Sequence, residues 1–479
     1  MTRHDLPAVP TARASQDPHH DVVSPVTGKV IERVRLMTVD EIANAISHRA
    51  RSAAALPRRE VLAFLQRLKT NLAARREVLV ETTMLETGFI ASDSREIVDG
   101  AIEFLEDFEL FVHEHVALSR TVRHSYGHGP QREMRIVHRP FRTVAAMVPQ
   151  NASFTLAITI IASALYAGCR VVLRPSLQCA ASAVVLADLV EQSGPPASSV
   201  LIVNSLAAEF AKASYVADDV DLIHYIGSNQ YALSVFTDAF AAKKSCLLDG
   251  QGNGVLYVDR TFPVADAVRL ITAGATRFNG ETCTSVNGVL VEPEAYPAIR
   301  DGLVEAFRAL AVGDPADTGT QVGPLFSQAQ AQRLTHDLRA ETTSRVLCGG
   351  DAFGAYFTPA VVDGVSRGSV LAREGLFGPA LWIQPVPEGE LFEWLRANQF
   401  PLSDTILSTD SELIRAFAMN SRAARITVNQ DPSVESMFEP WGGYPPSGLN
   451  PVSFWIEKYR QAFQLDGRLR DILSASGEA

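Results

Sequence analysis

The chain has 479 residues with 47% apolar and 20% charged side chains, the composition of an ordinary globular protein with two or three domains and a core that needs no covalent staples. Its net charge of −11 argues against nucleic acid or an anionic membrane as the main partner. The five cysteines (Cys169, Cys179, Cys246, Cys283 and Cys348) are odd in number and widely spaced, with no CxxC pair or Cys/His ligand set. They exclude a disulfide framework, give no metal site, and point to a reducing, cytoplasmic compartment.

Residues 1–20 read as a mobile polar leader without the apolar stretch of a secretory signal. From about Val39 to Val116 apolar residues recur at helical spacing, with Pro57 separating the first two helices and a further helix over Ser94–His113. The stretch Met134–Pro149 is strand-like and interrupted by Pro140. Strands and helices then alternate. The strands are 144–148, 170–175, 199–204, 222–227 and 246–249; helices over Phe154–Tyr166 and Ala180–Ser193 lie between them. That pattern predicts βαβ units and a parallel sheet whose ligand lies beyond the carboxyl ends of its strands. The apolar run Leu156–Ala167 is too short to span a bilayer and reads as a buried helix. A second α/β region has strands at 254–258, 287–293, 358–365 and 426–430 and a helix over Tyr296–Leu310. The Gly- and Pro-rich 441–451 reads as a long loop.

Three constellations carry chemistry. In Phe278–Ser285, FNGETCTS, Cys283 lies among small polar residues before a strand. A thiolate there is a strong nucleophile, whereas a lone cysteine is more often a small core residue. In Met147–Phe154, Asn151 opens a helix after a strand. Asn commonly caps such a helix, and its carboxamide can equally donate to a developing oxyanion. In Tyr225–Ala232, Gly227-Ser228 at a strand-to-helix turn lets a backbone approach a phosphate.

In this order the three resemble the aldehyde dehydrogenase superfamily, and the resemblance covers nearly the whole chain after the leader. The residues that carry it are Pro149-Gln150-Asn151, Arg174-Pro175-Ser176, Gly227-Ser228, Leu248-Asp249-Gly250-Gln251-Gly252, Gly280-Glu281-Thr282-Cys283, Gly375-Leu376-Phe377-Gly378-Pro379, and Gly442-Gly443 with Ser447-Gly448. The resemblance implies an α/β fold: a Rossmann-like cofactor domain (21–118 and 141–247), an α/β catalytic domain (248–440), and a β oligomerisation flap with a C-terminal segment (119–140 and 441–479). It implies NAD(P)-dependent oxidation of a small-molecule aldehyde, in a homodimer or homotetramer. Cys283 would form a thiohemiacetal and then a thioester. Asn151 would hold the oxyanion. Val148, Pro149, Arg174, Ser176, Gly227, Ser228, Gly250, Glu374 and Phe377 would bind the cofactor.

Four departures qualify what the resemblance implies. The family's general-base Glu falls on Leu248 when matched by its glycines and on Asp249 when counted back from Cys283. Arg174 stands for a Lys, and Leu177 for an acidic residue that grips ribose hydroxyls, which tilts the preference toward NADP. The Glu that holds the nicotinamide ribose falls on Gly375, with Glu374 one residue earlier. Glu281 stands for Gln, and is expected to be a solvated loop charge rather than a group aimed at the thiol; Gln150 makes the tunnel wall more polar. Alternative readings are a CoA-acylating or reductive acyl–aldehyde interconversion, and a family-fold protein without nicotinamide-dependent activity.

Overall fold

A computed structural model describes residues 19–52, 57–116, 119–124, 132–341 and 343–466. Most of the expected leader lies outside these residues, and His19 and His20 already belong to the first strand of a hairpin, His19–Val23 with Val30–Arg35.

Two seven-stranded sheets organise the molecule. Five consecutive strands of the first are parallel, in the spatial order Ser245–Asp249, Leu222–Ile226, Thr143–Met147, Arg170–Arg174 and Val200–Ile202. Alternate residues of its middle strand feed two cores, as the pleat requires. Val144 and Ala146 meet the helices Arg58–Ala74, Ala91–His115 and Ser153–Ala167. Ala145 and Met147 meet Val39–Ser52, Ala207–Val216 and Asn229–Ala241. Burial on both faces is why the sequence TVAAM is unbroken by a polar residue after its Thr. By length and composition alone, Gln150–Ala167 is apolar enough to cross a membrane, but 67% of it is buried in the fold; it is the central core helix.

The second sheet is parallel from Ala360–Asp363 through Ala380–Pro385, Val286–Val291, Gly254–Val258 and Ser403–Leu407 to Arg425–Val428, with Arg345–Cys348 antiparallel at one edge. A third, three-stranded antiparallel sheet joins Ser119–His124, Arg132–Pro140 and Arg460–Asp466.

One expectation needs correction. The segment after Trp441 is not a long loop. Trp441–Gly443 and Gly448–Ser453 form a hairpin that adds to the first sheet, where Gly448 pairs with Asp249 and Leu449 with Leu248. Its glycines permit the close approach: a Cβ at Gly442 would stand 2.5 Å from the Asn450 carbonyl oxygen.

Candidate active site

The first sheet ends its strands in turns that present polar groups. Val148 follows the middle strand, buried, and donates its N–H to the Arg174 carbonyl at 3.1 Å. Pro149 then leads into a short turn of helix, Gln150–Ala152, and on to the core helix Ser153–Ala167. Neither start takes a side-chain cap, so the half-buried Asn151 carboxamide is not spent as one. A buried network supports this turn. The Cys179 thiol donates to the Gln150 carbonyl at 3.2 Å, and the Ser182 hydroxyl bonds both the Cys179 carbonyl and Glu86. Glu86 is itself buried, and burial pushes its pKa up to about 8.

Arg174 ends the next strand. Its Nε donates to the Ser205 carbonyl at 3.1 Å. Burial pushes its guanidinium down to about 10, and only Tyr225 acts on it electrostatically. Among the described residues no carboxylate pairs with it, although unpaired buried charge is costly. Ser176 and Ser228 cap the helical turns that follow their strands, accepting from Gln178 and Gln230 N–H groups at 3.4 and 3.2 Å. At Gly227 a Cβ would press on the end of the Tyr225 side chain, 2.8 Å from its hydroxyl. Gly250 is more confined, with the Asn229 carboxamide oxygen 1.8 Å from such a Cβ. Leu177, expected to line the ribose site, is instead buried beneath the N-terminal hairpin with Val22 and Val34.

Cys283 lies on the other side of the seam between the sheets, half-buried, in the loop between the helix Val264–Thr276 and the strand Val286–Val291. The backbone of this loop is forced. Phe278, Asn279 and Gly280 take φ of +50°, +55° and +65° in succession, conformations that persist in non-glycine residues only where surrounding contacts fix them. Asn279 supplies those contacts. Its amide donates to the Gly88 and Pro324 carbonyls at 3.2 and 3.0 Å, and its oxygen accepts from Gly323 N–H at 2.9 Å. A Cβ on Gly280 would lie 2.4 Å from the Gly378 carbonyl oxygen, and one on Gly252 1.9 Å from that of Cys283. The segments at 250–254, 278–285 and 375–379 are therefore locked together around the thiol. In the last of these Phe377 is also left-handed, at φ +52°. Its carbonyl accepts from Gln330 at 2.7 Å. Glu374 is exposed at the end of a short helix, and its carbonyl accepts from Gln251 at 2.9 Å.

Three carboxyl groups surround this thiol loop in different states. Glu281 is not the solvated charge expected of it. It is fully buried, accepts the Phe326 N–H at 3.3 Å, and is held by burial well above the usual carboxylate range. Asp249 is also buried. One oxygen bonds His224 Nε2 at 2.8 Å, and Asn450 Nδ2 lies 2.8 and 2.7 Å from the two oxygens. His224 in turn meets the Tyr459 hydroxyl at 2.9 Å. Both Asp249 oxygens are thus already engaged, by partners that no local sequence signal announced. Leu248 is buried in the opposite core with Met147 and Tyr225. The third group, Glu435, is a third exposed, and its side chain accepts from Arg425 at 2.9 Å. Burial pushes the Cys283 thiol up to about 12, with Glu435 and then Asp249 adding to the shift.

The sequence model of the aldehyde dehydrogenase family matches residues 12–464. A glutarate-semialdehyde dehydrogenase of Pseudomonas putida is similar at 24% identity over 452 residues, covering 91% of this chain and 92% of that protein. The solved structure of an NAD-dependent aldehyde dehydrogenase from Sinorhizobium meliloti superposes with a TM-score of 0.87 at 24% identity, covering 94% of this chain and 92% of the other. That of a glyceraldehyde-3-phosphate dehydrogenase from Methanocaldococcus jannaschii complexed with NADP gives 0.84 at 22% identity, covering 93% and 98%.

Proposed function

Because the chain belongs to the aldehyde dehydrogenase family, we propose that it oxidises a small-molecule aldehyde with a nicotinamide cofactor through the Cys283 thiol. The observation that carries this reading is the thiol loop itself: a half-buried cysteine fixed by three left-handed residues at the seam between the two sheets. Cys283 Sγ attacks the aldehyde carbon, and the carbonyl oxygen becomes an alkoxide. The Asn151 carboxamide and the Cys283 backbone N–H donate to that oxygen, which is where preorganised donors accelerate most. A bound NAD(P)⁺ would supply the hydride acceptor that this oxidation needs. Because burial keeps the free thiol protonated, its proton must leave as the carbon–sulfur bond forms. Replacing Cys283 by Ala and measuring aldehyde-dependent NAD(P)H formation tests the assignment; full turnover in Cys283→Ala overturns it.

The residues at the rim of the first sheet fit a dinucleotide. Gly227 and Gly250 let their turns pack tightly against Tyr225 and Asn229 at the strand ends, and among the described residues no carboxylate pairs with the Arg174 guanidinium. An unpaired guanidinium suits a phosphate, which supports NADP over NAD. Ser176, Ser228, Val148, Pro149, Glu374 and Phe377 complete the proposed cofactor contacts.

The acyl acceptor is proposed to be water, giving an acid. The engagement of both Asp249 oxygens favours a second reading, transfer to coenzyme A. Product analysis with and without coenzyme A decides, since equal rates with free acid in both exclude obligatory CoA acylation. For assembly we propose a homodimer or homotetramer. Leu233 and Phe240, 75% and 76% exposed, line the helix Asn229–Ala241 with Tyr231, and among the described residues the outer strands of the three-stranded sheet pair on one side only. A monomer by light scattering rules this out. Free cysteines throughout support a cytoplasmic location.

A further inference from the structure

We propose that Glu435 is the general base that releases the acyl group from Cys283. This inference rests on the thiol reading above and deepens it. Of the three carboxyl groups near the thiol loop, Glu281 is sealed in the core against Phe326, and Asp249 is held by His224 and Asn450. Glu435 lines a cavity with Thr282, Thr284, Ser285 and Arg277. Thr282 and Thr284 flank Cys283 in sequence, which sets the cavity against the thiol loop, and the Glu435 carboxylate acts electrostatically on the Cys283 thiol.

The surroundings of Glu435 suit the task. Arg425 Nη1 donates to Oε1 at 2.9 Å and its Nη2 donates to the Val434 carbonyl at 2.7 Å. One guanidinium thus fixes both the carboxylate and the loop that carries it. The Thr284 hydroxyl also meets the carboxyl group. Burial raises the Glu435 pKa while Arg425 opposes the rise, and a base works best when its pKa lies nearer the operating pH than an ordinary carboxylate's. The step balances without a further reagent. A Glu435 oxygen takes a proton from water as the water oxygen bonds to the thioester carbon. The tetrahedral oxyanion collapses, the carbon–sulfur bond breaks, and the proton on Glu435 passes to the departing thiolate. The products are a carboxylic acid and the free thiol.

The test uses p-nitrophenyl acetate, which acylates a thiol without a nicotinamide and releases coloured p-nitrophenolate. The wild type should give a burst equal to the number of active sites and then a slower steady phase. In Glu435→Gln the burst should persist, the steady phase should fall ~10²-fold or more, and intact-protein mass should show one acetyl group, mapped by peptide analysis to Cys283. Glu435→Asp should recover part of the steady rate. Asp249→Asn should change burst and steady phases together, with no acetyl-enzyme accumulating. An unchanged steady rate in Glu435→Gln overturns the proposal, as does acetyl-enzyme building up in Asp249→Asn. A burst that survives in Cys283→Ala instead sinks the thiol reading, so the two failures are distinguishable.

Discussion

The rim of the first sheet and the thiol loop of the second both hold polar groups at the seam, and they do it by opposite means. At the rim, Asn151, Arg174, Ser176 and Ser228 follow their strands on right-handed or extended backbone, with Ser hydroxyls capping two of the turns. What varies there is the side chain. In the thiol loop the backbone is bent into the left-handed region at three consecutive residues, and a buried asparagine holds the bend. The rim can therefore change one side chain at a time, whereas the thiol loop tolerates little without losing its shape.

Substitutions on the two sides break this comparison in different ways. The largest effect belongs to the thiol. Cys283→Ala should lower aldehyde-dependent NAD(P)H formation about 10⁴-fold or more while dinucleotide binding, measured by calorimetry, persists. With burial holding the thiol near 12, the thiolate fraction should rise about tenfold per pH unit through the neutral range. Alkylation of Cys283 by iodoacetamide, followed by mass spectrometry, should rise with the same slope; a plateau near neutrality would mean an activated thiolate. Asn151→Ala comes next. Loss of one oxyanion donor costs roughly 10²–10³ in kcat, with the dinucleotide Kd unchanged.

Gly280→Ala sharpens the contrast through stability. A methyl group there meets the Gly378 carbonyl at 2.4 Å and imposes a side chain at φ +65°. The expected loss is about 2 kcal/mol or more in urea unfolding. At Gly227 the added methyl meets only the end of the Tyr225 side chain, and the loss should be smaller. Equal losses would remove the distinction between a rim set by side chains and a loop set by backbone.

How far the sequence revealed these two regions follows the same division. Strand positions around 144–148, 170–175 and 222–227 were legible because parallel strands buried on both faces are continuous apolar runs. The thiol loop was legible as a motif, FNGETCTS, but not as a geometry, since nothing in Phe278-Asn279 advertises positive φ. Glu281 was misread for a related reason. A charged residue between Gly and Thr looks solvated, and only the packing of the segment near Phe326 over it shows otherwise. The partners of Asp249 were out of reach of local reading: Asn450 lies 201 residues away, on a hairpin whose Gly-Pro composition reads as loop. Pairing with Leu248 and Asp249 at the sheet edge gives that segment its strand form.

The smallest effect concerns the rim, and it bears on which dinucleotide is used. Arg174 donates through Nε to the Ser205 carbonyl, which orients the side chain, and among the described residues its two Nη groups have no carboxylate partner. If those groups meet a 2′-phosphate, Arg174→Gln removes a charge-assisted contact worth about 1.5 kcal/mol, roughly tenfold in Kd. The loss should appear for NADP and be near zero for NAD, which lacks the phosphate. Titrating both dinucleotides against wild type and variant gives the four values needed. Equal weakening of both would mean that Arg174 serves the shared part of the dinucleotide, or the Ser205 turn beneath it. A selective loss for NADP would mean that a single side chain at the rim sets the preference, as the comparison with the backbone-locked thiol loop requires.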